Sequence, residues 1–182
     1  MTTTKQSGAS WSEVKAKLAD LDRAALLALV HALYAASKDN QSFLHARFGL
    51  GGDVLKPYKA TISRWLWPDV FRNQDTSVAK AKKAITDYKK ANAEPSGLAE
   101  LMVFYCEQAA GFGADVGMDD EAYLGALVRM FEQALKAIAA LPAPQRPEFL
   151  SRLEAVRSRC DNIGYGVGDD MDQLWAERGR DS

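Results

Sequence analysis

Strand patterning is missing from this sequence. Nowhere do apolar and polar residues alternate with period two long enough to make a strand, which excludes sandwiches, barrels and doubly wound sheets. Cysteine is scarce: of 182 residues only Cys106 and Cys160 carry thiols, each within an apolar helical pattern. That excludes a disulfide framework and fits a reducing compartment, where a free thiol packs as a small hydrophobe. Histidine is equally scarce. His31, His45 and the two cysteines lie far apart, without the close paired spacing of a structural zinc site, so neither a metal nor a cofactor is expected. No apolar run reaches about 18 residues, so no membrane span is expected. The polar start of the chain, 1–9, lacks the apolar stretch of a signal peptide and reads as a flexible tail. A soluble, cytoplasmic protein is the resulting expectation. A Gly-x-Ser-x-Gly elbow and an EF-hand loop are also missing, so neither a serine hydrolase nor a calcium switch is indicated.

What is present is helical punctuation. Ser10 and Glu13 form a Ser-x-x-Glu capping box ahead of Val14, Leu18 and Leu21. Asp22 caps a segment dense in Leu and Ala, from Leu26 to Tyr34, and a short helix is read from about Asn40 to Phe48. Glycines 49, 51 and 52 then break the pattern. Tyr58, Ile62, Trp65 and Leu66 share a stripe that Pro68 ends. Asp75, Thr76 or Ser77 caps a helix with Val78, Ala81, Ile85 and Tyr88 inward. From Leu98 to Phe112 the apolar residues fall on nearly all sides, which marks a buried central helix, with Gly111, Gly113 and Gly117 ending it. Asp119 is read as the cap of the next helix, whose apolar face runs from Tyr123 to Ile138. Pro142, Pro144 and Pro147 make a rigid connector to a helix bearing Phe149, Leu153, Val156, Cys160 and Ile163. Gly164, Gly166 and Gly168 form a turn, and Asp169 caps a last short helix that docks through Leu174 and Trp175. The expectation is an all-α fold of eight or nine helices, an irregular bundle or short solenoid-like array. One domain is read over 10–178, although the length also suits a compact pair of subdomains.

Three stretches resemble an uncharacterised bacterial family catalogued only as a domain of unknown function. They are Tyr58-Lys59 with the segment Ile62 to Phe71, the run from Ala99 to Gln108, and Ile163-Gly164-Tyr165-Gly166 leading to Asp169-Asp170-Met171. The likeness spans about Leu18 to Trp175, and departs where Val167-Gly168 follows the glycine pair in place of an aromatic. It implies an all-helical fold and a bacterial origin, and no activity.

Charge is the most uneven feature. Between Arg47 and Lys90 there are ten basic residues against four acidic ones, and between Ala91 and Leu135 one basic residue against eight acidic ones. Lys56, Lys59, Arg64, Lys80, Lys83 and Lys90 are therefore candidates for contact with a macromolecule. Tyr58, Trp65 and Trp67 lie among them as platforms for stacking on bases. Against this, Lys80, Lys83 and Lys90 fall opposite Val78, Ile85 and Tyr88, where a solvated helix face belongs, and the overall net charge is −1. Glu107 and Gln108 form a second, polar core candidate within the most apolar helix. A buried carboxylate there serves as an acid or base with a raised pKa, or pairs with an arginine such as Arg129. The acidic groups Asp119 to Glu121 and Asp169 to Asp172 complement helix dipoles without further role. The glycine-rich turn before Asp169 follows a helix rather than a strand, and the carboxylates after it repel phosphate.

The leading expectation is a non-catalytic helical scaffold or adaptor that binds another macromolecule, a protein or a second copy of the chain. The runner-up is a nucleic-acid-binding accessory protein using Lys56 to Lys90. An enzyme with a buried glutamate acid/base comes third. No membrane contact and no small-molecule ligand is read.

Overall fold

The computed structural model describes residues 9–92 and 94–179. The tail read over 1–9 lies outside the described residues except for Ala9. The described residues form nine α-helices and two 3-10 turns, with no strand among them: the protein is all-α. The helices are α1 (Trp11–Ala19), α2 (Arg23–Ala36), α3 (Lys38–Phe48), α4 (Lys56–Leu66), α5 (Val78–Ala91), α6 (Pro95–Val116), α7 (Glu121–Ala139), α8 (Arg146–Arg159) and α9 (Val167–Arg178). The chain divides into two compact units, Met1–Leu44 and His45–Ser182, with the boundary inside α3 and so inside the domain read over 10–178.

The first unit is held by local chemistry. The Ser10–Glu13 capping box is formed in both directions, with the Ser10 amide donating to Glu13 at 2.6 Å. Asp22 accepts from the Ala25 amide at 2.7 Å and starts α2. Asn40 donates to the Leu33 carbonyl and Gln41 to the Tyr34 carbonyl, satisfying two acceptors near the end of α2. Neither α1 nor α2 buries a residue.

The second unit is built on α6, which contains more buried residues than any other helix. It packs most extensively on α7, then on α8 and α4, while α4 also packs on α5 and α7 on α9. The apolar stripes fall as their spacing requires. Tyr58, Ile62 and Leu66 of α4, and Ala81, Ile85 and Tyr88 of α5, are buried, with Trp65 and Val78 packed at the edge. Close approach explains two glycines in α6. A Cβ on Gly97 would stand 2.2 Å from the Tyr88 hydroxyl oxygen, and one on Gly111 would stand 2.3 Å from the Trp67 ring.

Several boundaries differ from the sequence reading. Gly111 and Gly113 do not end α6; both are buried within it, and Gly117 closes it in the left-handed conformation at φ 64°. Phe112, buried between them, helps offset the glycine propensity cost of about 1 kcal/mol each. Asp120, not Asp119, caps α7 by accepting from the Tyr123 amide at 3.0 Å. Of the three candidates for α5, Ser77 is the cap. Asp169 does not cap α9. That helix starts at Val167 after left-handed Gly166, and Asp169 and Asp170 sit in its first turn, where they still complement the helix dipole.

Two buried side-chain polar atoms, the Tyr105 hydroxyl and Arg157 Nε, are unmatched among the described residues. The Tyr105 hydroxyl is enclosed with no hydrogen-bond partner among the described residues, and burial pushes its pKa up. An unmade buried hydrogen bond costs about 1–3 kcal/mol. Tyr105→Phe is therefore expected to match or exceed wild-type stability by up to about 1 kcal/mol in urea denaturation. A loss larger than that would show the hydroxyl to be engaged.

Candidate functional site

The basic stretch does not present its charges as one free field. Lys59 is held by Glu100 at 2.6 Å and lies 5.3 Å from the centroid of the Phe104 ring. Lys83 pairs with Asp87 one turn along α5. Arg64 donates to the Asp75 carbonyl and stacks on Trp65 at 4.4 Å, while Lys80 covers the same ring at 3.8 Å. The aromatics are occupied as well. Tyr58 is buried edge-on against Tyr88, and Trp67 reaches back over Gly111. Lys56 and Lys90 are exposed, at the start of α4 and near the end of α5. The Lys90 carbonyl accepts from Arg47 at 2.8 Å. Burial and then the charge of Arg129 lower the pKa of Lys82. A nucleic acid arriving here would meet lysines spread over two helices, a Trp65 ring already covered by Arg64 and Lys80, and a buried Tyr58.

Glu107 and Gln108 lie in a half-buried polar seam between α6 and its neighbours. The partner of Glu107 is Arg152 on α8 rather than Arg129. Arg152 Nε donates to Glu107 Oε1 at 2.7 Å and Nη2 to Oε2 at 2.9 Å. The same guanidinium donates to both oxygens of Glu100, at 2.5 and 3.1 Å, and Lys59 adds its bond on the outer side. One arginine fork thus serves two carboxylates spaced two turns apart on α6, a geometry that only Arg's planar set of donors satisfies. Burial alone would raise the Glu100 pKa, but the hydrogen bonds from Arg152 and Lys59 outweigh it and hold the carboxyl below its usual range. Gln108 accepts from the Ser63 hydroxyl at 2.7 Å, tying α6 to α4. Glu100, clamped in this way, is a poor proton acceptor, and among the described residues no nucleophile is bonded to either carboxylate. The arrangement is an ion-pair brace across α4, α6 and α8.

A third feature lies where α7 begins. Tyr165 adopts the left-handed conformation at φ 61°, an uncommon state for a bulky residue, and its hydroxyl donates to Asp119 at 2.6 Å. That bond, followed by the negative charge of Asp119, raises the tyrosine pKa. Tyr165, Val167 and Asp170 face Glu121, Gly125 and Arg129 across an open-sided cleft of about 400 Å³. Its walls mix both signs of charge, and no group of three or more His, Cys, Asp or Glu suited to a metal occurs among the described residues.

The feature that stands apart is in the first unit. Trp11, Val14 and Leu18 of α1 and Leu21 just beyond its end follow gaps of three and four residues, the spacing of a coiled-coil seam. Trp11 is 69% exposed. On α2, Leu26, Leu29, Val30 and Leu33 form the same kind of seam, with Leu27 beside it at 61% exposure and Leu33 at 53%. Between Ala24 and Ala36 the side chains are apolar except for His31 and Tyr34, so α2 lacks the charged face that a solvated helix carries. Inspection of the sequence recognises these helices but does not single them out, because a stripe of leucines looks the same whether or not something covers it. The absence of Lys, Arg, Asp and Glu from Ala24 to Ala36 is the signal that was there to be used.

Among the described residues no helix is long and apolar enough to cross a membrane. No family model, no curated protein and no solved structure matches the chain.

Proposed function

We propose that the protein is a non-catalytic helical scaffold or adaptor that binds another protein, and that α1 and α2 are the binding element. The observation that supports this reading is the apolar surface of these two helices, neither of which buries a residue. Scattered exposed leucines are ordinary on a protein surface, but the apolar face of α2, with no charged residue between Ala24 and Ala36, marks an interaction site. The second unit has a core around α6 with a brace of ion pairs, and among the described residues no nucleophile is paired with this brace. Free, buried Cys106 and Cys160 fit a reducing setting, and we propose a cytoplasmic one. Burial pushes the Cys160 thiol up to about 12, so it stays protonated and inert at neutral pH.

A photo-crosslinking residue at position 27 tests the reading in cells. Adducts with protein are expected at this position, and the same residue at Lys89, on the exposed side of α5, should give none above background. The nucleic-acid alternative is tested in parallel with the purified chain. Wild-type protein is expected to retard neither DNA nor RNA at low salt. Retardation at micromolar protein, weakening by a decade or more with added salt and lost in Lys80→Glu/Lys83→Glu/Lys90→Glu, would replace the proposal with the nucleic-acid one.

A further inference from the structure

We infer that the occupant of the α1–α2 face is a second copy of this chain, and that two copies pair through these helices in a four-helix arrangement. The inference rests on the proposed binding role of α1 and α2 and names their partner. Three observations lead to it.

The first is geometric. Each helix carries one seam at heptad-like spacing: Trp11, Val14 and Leu18 on α1, continued by Leu21 just past its end, then Leu26, Val30 and Leu33 on α2. Two such seams cannot enclose a core alone, and both are left open to solvent here. Four of them, two from each copy, close into the knobs-into-holes packing of a helical bundle. A helix of α2's length is marginal in water without such packing.

The second is charge. Residues Ser10 to Ala36 hold Glu13, Asp20 and Asp22 against Lys15, Lys17 and Arg23, which balance. The seams themselves contain none of them. An acidic or basic partner finds no complementary field on α2, whereas a copy of the same surface meets it without like-charge repulsion. A two-fold interface requires a surface that suits itself, and a neutral apolar one does so.

The third is area. The exposed large apolar side chains of α1 and α2 present on the order of 700 Å² per copy, so pairing removes about 1,400 Å² from water, within the range of stable protein interfaces.

The full chain is tested by sedimentation and light scattering across two decades of concentration. A mass about twice 20.0 kDa is expected, falling toward 20.0 kDa on dilution. Leu26→Glu/Leu33→Glu should be monomeric throughout and keep its cooperative melting transition, because both side chains are exposed within the chain. Leu26→Ala/Leu33→Ala preserves helix propensity and should weaken association at least tenfold, which separates lost contacts from lost helix. Wild-type protein that is monomeric at the highest concentration overturns the inference, as does a dimer unaffected by the glutamate variant. Monomeric protein that still gives protein adducts from position 27 leaves the binding role standing with a different partner; monomeric protein without adducts removes both.

Discussion

Leu101→Asp is expected to yield no folded protein. Leu101 has 0% of its surface exposed and lies in the first half of α6, the helix on which the second unit is packed. An aspartate there has two options. It stays charged without a cation in reach, or it takes up a proton and buries an unmatched carboxyl; either costs several kcal/mol beyond the lost packing. The total stability of a domain is about 5–15 kcal/mol, so the substitution consumes most or all of it. Leu101→Ala, which opens a cavity without adding charge, is expected to cost about 2–5 kcal/mol and to leave a foldable protein. Soluble yield and far-ultraviolet circular dichroism distinguish the two. A Leu101→Asp protein that melts with the wild type would show that α6 is not the core.

The second large effect is expected at Arg152. Replacing it with Met keeps the aliphatic stem and removes the fork that serves Glu100 and Glu107. The two carboxylates, whose side chains are 18% and 31% exposed, then lack their shared cation, and Glu100 retains only Lys59. Breaking a fully buried pair costs about 3–5 kcal/mol; solvent reaches this one, so about 2 kcal/mol at neutral pH is expected. The pH dependence carries the mechanism. The Glu100 pKa is lower in the folded protein than its ordinary 4.5. Its contribution is therefore full above about 4.5 and drains away as pH falls through the lower folded value. In Arg152→Met most of that contribution is already absent, so the gap between wild type and variant should narrow as the pH is lowered below 4.5. Urea denaturation at pH 7 and near pH 4 measures the gap in each condition. A gap that does not change with pH would mean that Arg152 acts through packing alone.

The brace at Arg152 also shows where reading the sequence stops. Glu107 in an apolar helix announces a partner, and the sequence reading offered Arg129 as one. The actual partner lies 45 residues along the chain from Glu107 and 52 from Glu100. No periodicity within α6 or α8 encodes that pairing, because it depends on how the two helices cross. The basic stretch shows the same limit. Its charge excess is a fact of composition, but whether Lys59 is free depends on Glu100 coming to 2.6 Å from it.

Local interactions were legible. The Ser10–Glu13 box, the Asp22 cap, the stripe of Tyr58, Ile62 and Leu66, and the central place of α6 all follow from residues within a few positions of one another. Hydrogen bonds at helix ends and the period of 3.6 residues act over such distances, so helix type and inward face were determined by the sequence itself. Finer boundaries were not: Asp119 and Asp120 are both competent caps, and packing of Tyr123 at the end of α4, where its hydroxyl donates to the Leu66 carbonyl at 2.8 Å, goes with the second. The exposure of α1 and α2 also belongs to the tertiary structure alone. Spacing states that a helix has an apolar face. What that face meets is decided by the rest of the fold, through contacts between residues that the sequence keeps far apart.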